Sequence, residues 1–147
     1  MVNRKIHNGR RNGAAAIETA IVVLPVLLLI FGVLQYGRLL MDWNVLNNAA
    51  REGCRYALVN NTSPTISTDV QTIVTSRMAG ETKNFTGFTV SISGTHAGVS
   101  TPVNNLVAGD FITVTVTGQY HFLNLPIPGP NVMTMTSAVT MVCEGAT

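Results

Sequence analysis

The chain has 147 residues, enough for one ordinary domain, with 11% charged and 46% hydrophobic residues. So few charges and so many aliphatic side chains exclude an intrinsically disordered protein. The formal net charge is +2, but four of the nine basic residues lie in the first 13 positions, which leaves five basic against seven acidic side chains in residues 14–147. A basic surface for nucleic acid is therefore not expected, and the amino-terminal cations are better explained as a leader.

The leader is followed by an apolar run long enough to cross a membrane. Residues 19–37 are 19 consecutive uncharged residues, which as an α-helix rise about 28 Å, close to the thickness of a bilayer core, about 30 Å. A cleavable secretory signal also combines basic residues with an apolar core, but its core is shorter and a small-x-small site follows it. No such site follows Leu34. The sequence therefore predicts a cytoplasmic leader over 1–13 and a transmembrane helix over 14–37.

The distribution of basic residues predicts the orientation of this helix. Four basic residues precede it, whereas Arg38 is the only basic residue close behind it. By the positive-inside rule, the amino terminus is cytoplasmic and the rest of the chain is exported. We therefore expect a single-pass membrane protein with a periplasmic or extracellular carboxy-terminal domain.

Glu18 is the one acid in the apolar run, and it belongs to a specific motif. An unpaired carboxylate at membrane depth costs about 2.5–3.5 kcal/mol. The sequence from Gly13 to Glu18, Gly-Ala-Ala-Ala-Ile-Glu, follows two arginines and resembles the class III signal of type IV pilins and pseudopilins. The resemblance implies that prepilin peptidase cuts between Gly13 and Ala14. It also implies an assembly role for Glu18, whose carboxylate would pair with the new ammonium at Ala14 of a neighbouring helix.

Further motifs make the resemblance more specific. They are Leu24-Pro25, Phe31-Gly32, Tyr36-Gly37-Arg38 and the segment from Asn47 to Ala57, Asn-Asn-Ala-Ala-Arg-Glu-Gly-Cys-Arg-Tyr-Ala. Together with the motif from Gly13 to Glu18, these segments resemble the TadE-like family of the tight-adherence (Flp pilus) system. The resemblance implies a non-enzymatic minor pilin-like subunit in the bacterial inner membrane, whose partners are prepilin peptidase, other pilin-like subunits and the pilus assembly machinery. The alternative is a membrane-anchored adhesion or binding module that is not cleaved and does not enter a filament.

The residues beyond the membrane predict a pilin-like α+β fold. Over 38–58, apolar side chains recur every three or four positions, which indicates an exported continuation of the helix; an ordinary amphipathic anchor would show the same pattern. Residues 59–147 predict an exported α+β domain that begins with a turn and a short second helix. That helix has Thr68 and Gln71 as a capping box and Gly80 as its stop.

Three strands with period-two alternation complete the predicted domain. Their apolar positions are Phe88, Val90 and Ile92, then Ile112, Val114, Val116, Tyr120 and Phe122, then Met133, Met135, Val139 and Met141. The positions between them are mostly Thr and Ser, so one face of an antiparallel sheet is expected to pack on the helix and the other to face water. Residues 94–109 and 123–131 are predicted loops.

Two cysteines lie in the part of the chain expected to be exported, where a disulfide can persist. Cys54 falls on the apolar stripe of the helix, and Cys143 has the strand parity of Val139 and Met141. Both could point into one helix–sheet interface, which makes a Cys54–Cys143 disulfide possible. Two buried free thiols are the alternative. Cys54 stands where many TadE-like proteins have a small residue, so the pair is not implied by the resemblance.

No catalytic, cofactor-binding or metal-binding residue is predicted. The sequence lacks the Gly-x-Ser-x-Gly, phosphate-loop, Cys-x-x-Cys and His-Glu-x-x-His motifs. His96 and His121 are interpreted as exposed polar residues, and Asp110 as a turn residue before its strand. We therefore expect no enzymatic activity, cofactor or small-molecule substrate. A small membrane enzyme is the least favoured interpretation.

Overall fold

The computed structural model describes residues 9–78, 80–122 and 131–143, with side chains from residue 13 onward. Within these residues, the helices are α1 (Gly9–Val59) and α2 (Ile66–Arg77), with short 3-10 turns at Glu81–Asn84 and Val103–Asn105. The strands are β1 (Phe85–His96), β2 (Val99–Thr101), β3 (Phe111–His121) and β4 (Val132–Val142). The predicted α+β fold is confirmed: a long apolar amino-terminal helix is followed by a small antiparallel sheet.

The chain divides into two compact units between Arg38 and Leu39. The first unit contains the apolar part of α1, which passes through Pro25 without interruption. Its large aliphatic side chains are exposed, and among the described residues α1 is the one helix long and apolar enough to cross a membrane. Thr19 satisfies its hydroxyl within the helix by donating to the carbonyl oxygen of Ala15 over 2.9 Å. This unit is consistent with a single-pass membrane protein.

The second unit is built on an antiparallel sheet with the strand order β2-β1-β3-β4. On β3, Ile112, Val114 and Val116 are buried, and the threonines between them are half-buried. On β3 this alternation confirms the predicted packed and wet faces. At the start of β4, Met133, predicted for the packed face, is 45% exposed because β4 is an edge strand of the sheet. The core also contains five residues from α1, namely Leu46, Ala49, Ala50, Cys54 and Ala57.

The prediction of a loop over residues 94–109 was wrong. β1 continues to His96, and β2 pairs with it, His96 lying opposite Val99. The two residues between them, Ala97 and Gly98, both have positive φ angles, 48° and 84°, as the tight turn of a twisted hairpin requires. The Cβ of alanine is crowded at positive φ, so this turn lacks the Asn-Gly or Asp-Gly signal that predicts a hairpin.

The predicted capping box of the second helix was also wrong. α2 begins at Ile66 after Thr65, so Thr68 and Gln71 both lie inside it. The Thr65 hydroxyl donates to Asp69 Oδ2 over 2.8 Å instead of capping a backbone N–H group. The helix begins three residues earlier than predicted, at Ile66, whose side chain is buried in the core.

The stop predicted for α2 agrees with the structure, and the helix packs through one apolar face. Val70, Val74 and Met78 are buried. α2 ends at Arg77, and Gly80 follows with a φ of 87°, a conformation that favours glycine. The proline-containing loop predicted over 123–131 lies, except for its last residue, outside the described residues. The basic side chains of the leader lie outside them too.

Candidate functional site

The residues predicted for processing and assembly lie together near the start of α1. Gly13, Ala14 and Glu18 are helical and exposed. Ala14 and Glu18 share one face, because residues four apart on a helix are neighbours. In the part of the chain that the structure describes, Glu18 has no ion-pair partner. A cut before Ala14 would therefore put a new amino group one helical turn from an available carboxylate; the cut itself stays a prediction.

The segment from Asn47 to Ala57 forms the packing face of α1 in the second unit. Its small residues Ala49, Ala50 and Ala57 are fully buried, which lets the helix backbone lie close to its neighbours. Asn47 Oδ1 accepts a hydrogen bond of 2.6 Å from the hydroxyl of Ser137 on β4. The most diagnostic motif of the sequence thus has a structural role in holding the sheet to the helix.

Gly53, in the middle of this segment, allows α1 and α2 to approach each other. A Cβ atom at this position would lie 2.6 Å from Val74 Cγ2, 3.2 Å from Val70 Cγ1 and 3.6 Å from Val114 Cγ1. The first distance is far inside van der Waals contact, so any side chain here would push α2 away. Glycine is therefore required by packing and not by its backbone conformation.

An exposed ion pair joins the same two helices. The guanidinium of Arg77 donates to Glu52 Oε1 over 3.0 Å, and the two side chains are 61% and 40% exposed. Pairs exposed to this extent contribute about 0–1 kcal/mol. The pair therefore adds little to the helix packing that Gly53 permits.

Cys54 and Cys143 are buried free thiols in the structure. Cys54 Sγ donates a weak hydrogen bond of 3.5 Å to the carbonyl oxygen of Ile112 on β3. Burial raises the pKa of the Cys54 thiol, and the charge of a nearby Cys143 thiolate would raise it further. Burial and then the charge of Asp110 raise the pKa of Cys143. The two thiols occupy one buried region, and a bond between them stays a prediction.

His96 and Asp110, interpreted separately in the sequence, form a pair. His96 Nδ1 lies 2.6 Å from Asp110 Oδ1, and Asp110 is only 5% exposed. The other carboxylate oxygen accepts the backbone N–H of Val107 over 2.8 Å. This backbone hydrogen bond, and after it His96, hold the pKa of Asp110 below its usual value against the opposing effect of desolvation. Sequence reasoning missed the pair, because the β1–β3 pairing that brings the two residues together leaves no local motif.

Among the described residues, few other side chains are candidates for catalysis or metal binding. His121 is exposed, as interpreted, and its Nε2 atom lies 2.6 Å from the hydroxyl of Thr86 on the neighbouring strand. Across the described ranges, no group of three or more His, Cys, Asp or Glu side chains is placed to hold a metal ion. The features that stand out are therefore the amino-terminal motif, the helix packing segment and the cysteine pair.

Together these features define a candidate single-pass membrane protein whose apolar helix leads into a small α+β domain. Residues 13–55 match the family model described as TadE-like protein, which confirms the resemblance predicted from the amino-terminal motifs. This match suggests involvement in the tight-adherence (Tad) pilus system, a membrane pilus context. No curated protein and no solved structure matches the chain.

Proposed function

We propose that the protein is a non-enzymatic minor pilin-like subunit of a tight-adherence pilus assembly and secretion system. The observation that carries the proposal is the extent of the TadE-like match. It begins at Gly13, the residue before the predicted cut, and continues through the apolar helix to Arg55 in the packing segment. The chain would lie in the bacterial inner membrane with its amino terminus cytoplasmic and residues 38–147 exported, an orientation supported by the basic leader.

Processing is the first step of the proposed function. Prepilin peptidase on the cytoplasmic side hydrolyses the peptide bond between Gly13 and Ala14, and the leader over 1–13 is released with four basic residues. The chain acts as the substrate of this reaction and supplies no catalytic group. Its product is a mature chain that begins with the α-ammonium group of Ala14.

Assembly follows from the pairing of that ammonium with Glu18. Near the low-dielectric membrane core each isolated charge is costly, and a close opposite charge offsets part of the desolvation of both groups. Pairing between the Ala14 ammonium of one subunit and the Glu18 carboxylate of its neighbour would set the axial stagger of packed helices. The exposed aliphatic surface of this part of α1 supplies the remaining helix contacts.

Replacing Glu18 tests the assembly role. In bacteria that carry a tight-adherence system, Glu18→Gln should leave the amount of membrane-inserted protein unchanged and should strongly reduce its amount in sheared filaments. Thr19→Val is the matched control, because the Thr19 hydroxyl is bonded within its own helix and has no assembly role in the proposal. Normal incorporation of the Glu18→Gln protein would show that the carboxylate does not set the stagger.

An uncleaved, membrane-anchored adhesion module would behave differently. It would keep residues 1–13, would stay in the membrane fraction when filaments are sheared, and would be indifferent to the charge at Glu18. These outcomes separate the two functions even if filament yield is low.

A further inference from the structure

The two cysteines lie where the exported part of α1 meets the carboxyl end of β4. Cys54 Sγ is 3.5 Å from the carbonyl oxygen of Ile112, and Ile112 is paired with Met141 across β3 and β4. Cys143 comes directly after the end of β4 at Val142, about 6.8 Å from Met141, and its N–H donates to the carbonyl oxygen of Asp110, two residues before Ile112. Cys54 therefore lies over the strand pair, near the end that carries Cys143.

This placement suits a cross-link. Cys54 is 0% exposed and Cys143 is 4% exposed, and both belong to the same buried cluster of the domain. A disulfide joins residues whose Cα atoms are about 4.4–6.8 Å apart, so the bond requires α1 and the end of β4 to pack directly against each other at these two positions. The chain contains just these two cysteines, so no other pairing within one chain competes.

We propose that Cys54 and Cys143 form a disulfide once the domain is exported, and that this bond fastens α1 to the carboxyl end of β4. The inference rests on the exported orientation in the proposed function, because disulfides persist in oxidising compartments and not in the cytoplasm. The bond closes a loop over residues 54–143, which covers most of the second unit. It therefore removes much of the conformational freedom of the unfolded chain.

The oxidant is a protein disulfide of the exported compartment, and the bond forms by thiol–disulfide exchange. One cysteine loses its proton and attacks a sulfur of the oxidant, which forms a mixed disulfide and releases one oxidant thiolate. The other cysteine, also deprotonated, then attacks the first, and the second oxidant sulfur leaves. Two electrons pass to the oxidant, and the two protons end on its thiols.

The folded domain slows this exchange. Burial excludes the oxidant, and the raised pKa values of both thiols keep them protonated near neutral pH. Cys143 is held in place by two backbone hydrogen bonds: its N–H donates to Asp110 over 2.7 Å and its carbonyl accepts from Gly109 over 2.9 Å. We therefore expect the bond to form while β4 is docking, before these contacts close.

The first experiment detects the bond in the full chain made in cells. Membranes are solubilised in denaturant with a thiol-alkylating reagent and without reductant, and are then digested with trypsin. Cleavage after Arg51 and Arg55 leaves Cys54 in a four-residue peptide, and cleavage after Lys83 leaves Cys143 in the peptide 84–147, which contains no Lys or Arg. The expected product has the summed mass of the two peptides less two hydrogen atoms.

The second experiment is independent of location in the cell. The reduced full chain is refolded in detergent with oxidised glutathione as the oxidant, and its melting temperature is measured with and without reductant. We expect reductant to lower the melting temperature by about 10–20 °C. The double variant Cys54→Ala/Cys143→Ala is the matched control and should not respond to reductant.

The outcomes distinguish this inference from the proposed function. The linked peptide in the first experiment, together with a melting temperature that falls on reduction in the second, supports the inference. Refolded protein without a bond, in which both thiols become alkylated and reductant has no effect, overturns it and leaves the proposed function standing. A bond that forms on refolding but is absent in cells contradicts the exported orientation, and with it both the proposed function and a bond formed after export.

Discussion

The hydroxyl of Ser137 donates a hydrogen bond of 2.6 Å to Asn47 Oδ1 and so joins β4 to α1 across 90 positions of sequence. Ser137 is 4% exposed and lies on the same strand face as Met135 and Val139. A buried hydroxyl without a partner is costly, so the bond favours one position of the helix along the strand. It gives the first residue of the diagnostic segment a physical role in the domain.

Breaking this bond should destabilise the second unit. Ser137→Ala removes the donor and should lower the free energy of unfolding by about 1 kcal/mol, whereas Asn47→Ala leaves a buried hydroxyl unpaired and should cost about 1–3 kcal/mol. Urea unfolding of the full chain in detergent, followed by fluorescence of the single tryptophan, Trp43, measures both. The double variant should lose less than the two single variants combined. Additive losses would show that the two side chains are not coupled.

A methyl group at Gly53 should force the two helices apart. Gly53→Ala places a Cβ 2.6 Å from Val74 Cγ2, and overpacking of this kind costs about 1–3 kcal/mol, against a helix-propensity gain of about 1 kcal/mol. We expect net destabilisation in the same urea experiment. Gly37→Ala is the control, because no atom lies within 4 Å of its added Cβ, and it should be neutral or stabilising.

A compensating change sharpens the test at Gly53. Val74→Ala alone should destabilise the core, but it removes the methyl group that lies nearest to the new Cβ. The double variant Gly53→Ala/Val74→Ala should therefore lose less stability than the sum of the single changes. Equal destabilisation by the glycine substitutions at positions 53 and 37 would contradict the packing explanation.

Asp110 should make the domain less stable in acid. Its pKa is below the usual value because the Val107 N–H, and then His96, stabilise the carboxylate. A carboxyl group of this kind contributes stability above its unfolded pKa, about 3.9, and the contribution is lost as pH falls through the lower folded pKa. The melting temperature of the full chain should therefore fall below about pH 4.

The variant Asp110→Asn separates the acid destabilisation caused by Asp110 from that caused by other carboxyl groups. The variant keeps an oxygen that can accept the Val107 N–H but has no charge to lose, so its melting temperature should be lower at neutral pH and should fall less in acid. His96 and Cys143 are the titratable side chains that interact with Asp110, and the raised pKa of Cys143 keeps that thiol neutral over this range. Parallel acid profiles of the two proteins would exclude Asp110 as the cause.

Features set by local spacing could be predicted from the sequence. The alternation around Ile112 and Val114, the apolar helix and the stop at Gly80 depend on neighbours within a few residues. The amino-terminal motif from Gly13 to Glu18 is equally local, and the TadE-like resemblance is therefore visible in the order of the residues alone. The hairpin at Ala97 was missed because its turn uses an uncommon residue at positive φ.

Features set by the packing of distant segments could not be predicted. Asn47 and Ser137 are 90 positions apart. His96 at the end of β1 and Asp110 just before β3 are 14 positions apart. The residue types in these pairs do not specify their partners. The partners are determined by the strand register and by the position of α1. The steric requirement at Gly53 likewise depends on where α2 lies.

The mass of the mature chain tests the central claim most directly. The full-length protein is produced in bacteria that contain prepilin peptidase, purified from membranes and measured intact by mass spectrometry after reduction. The proposed function predicts loss of the first 13 residues, so that Ala14 is the new amino terminus. A chain that still begins at residue 1 or 2, or that begins at any residue other than Ala14, would contradict pilin-type processing.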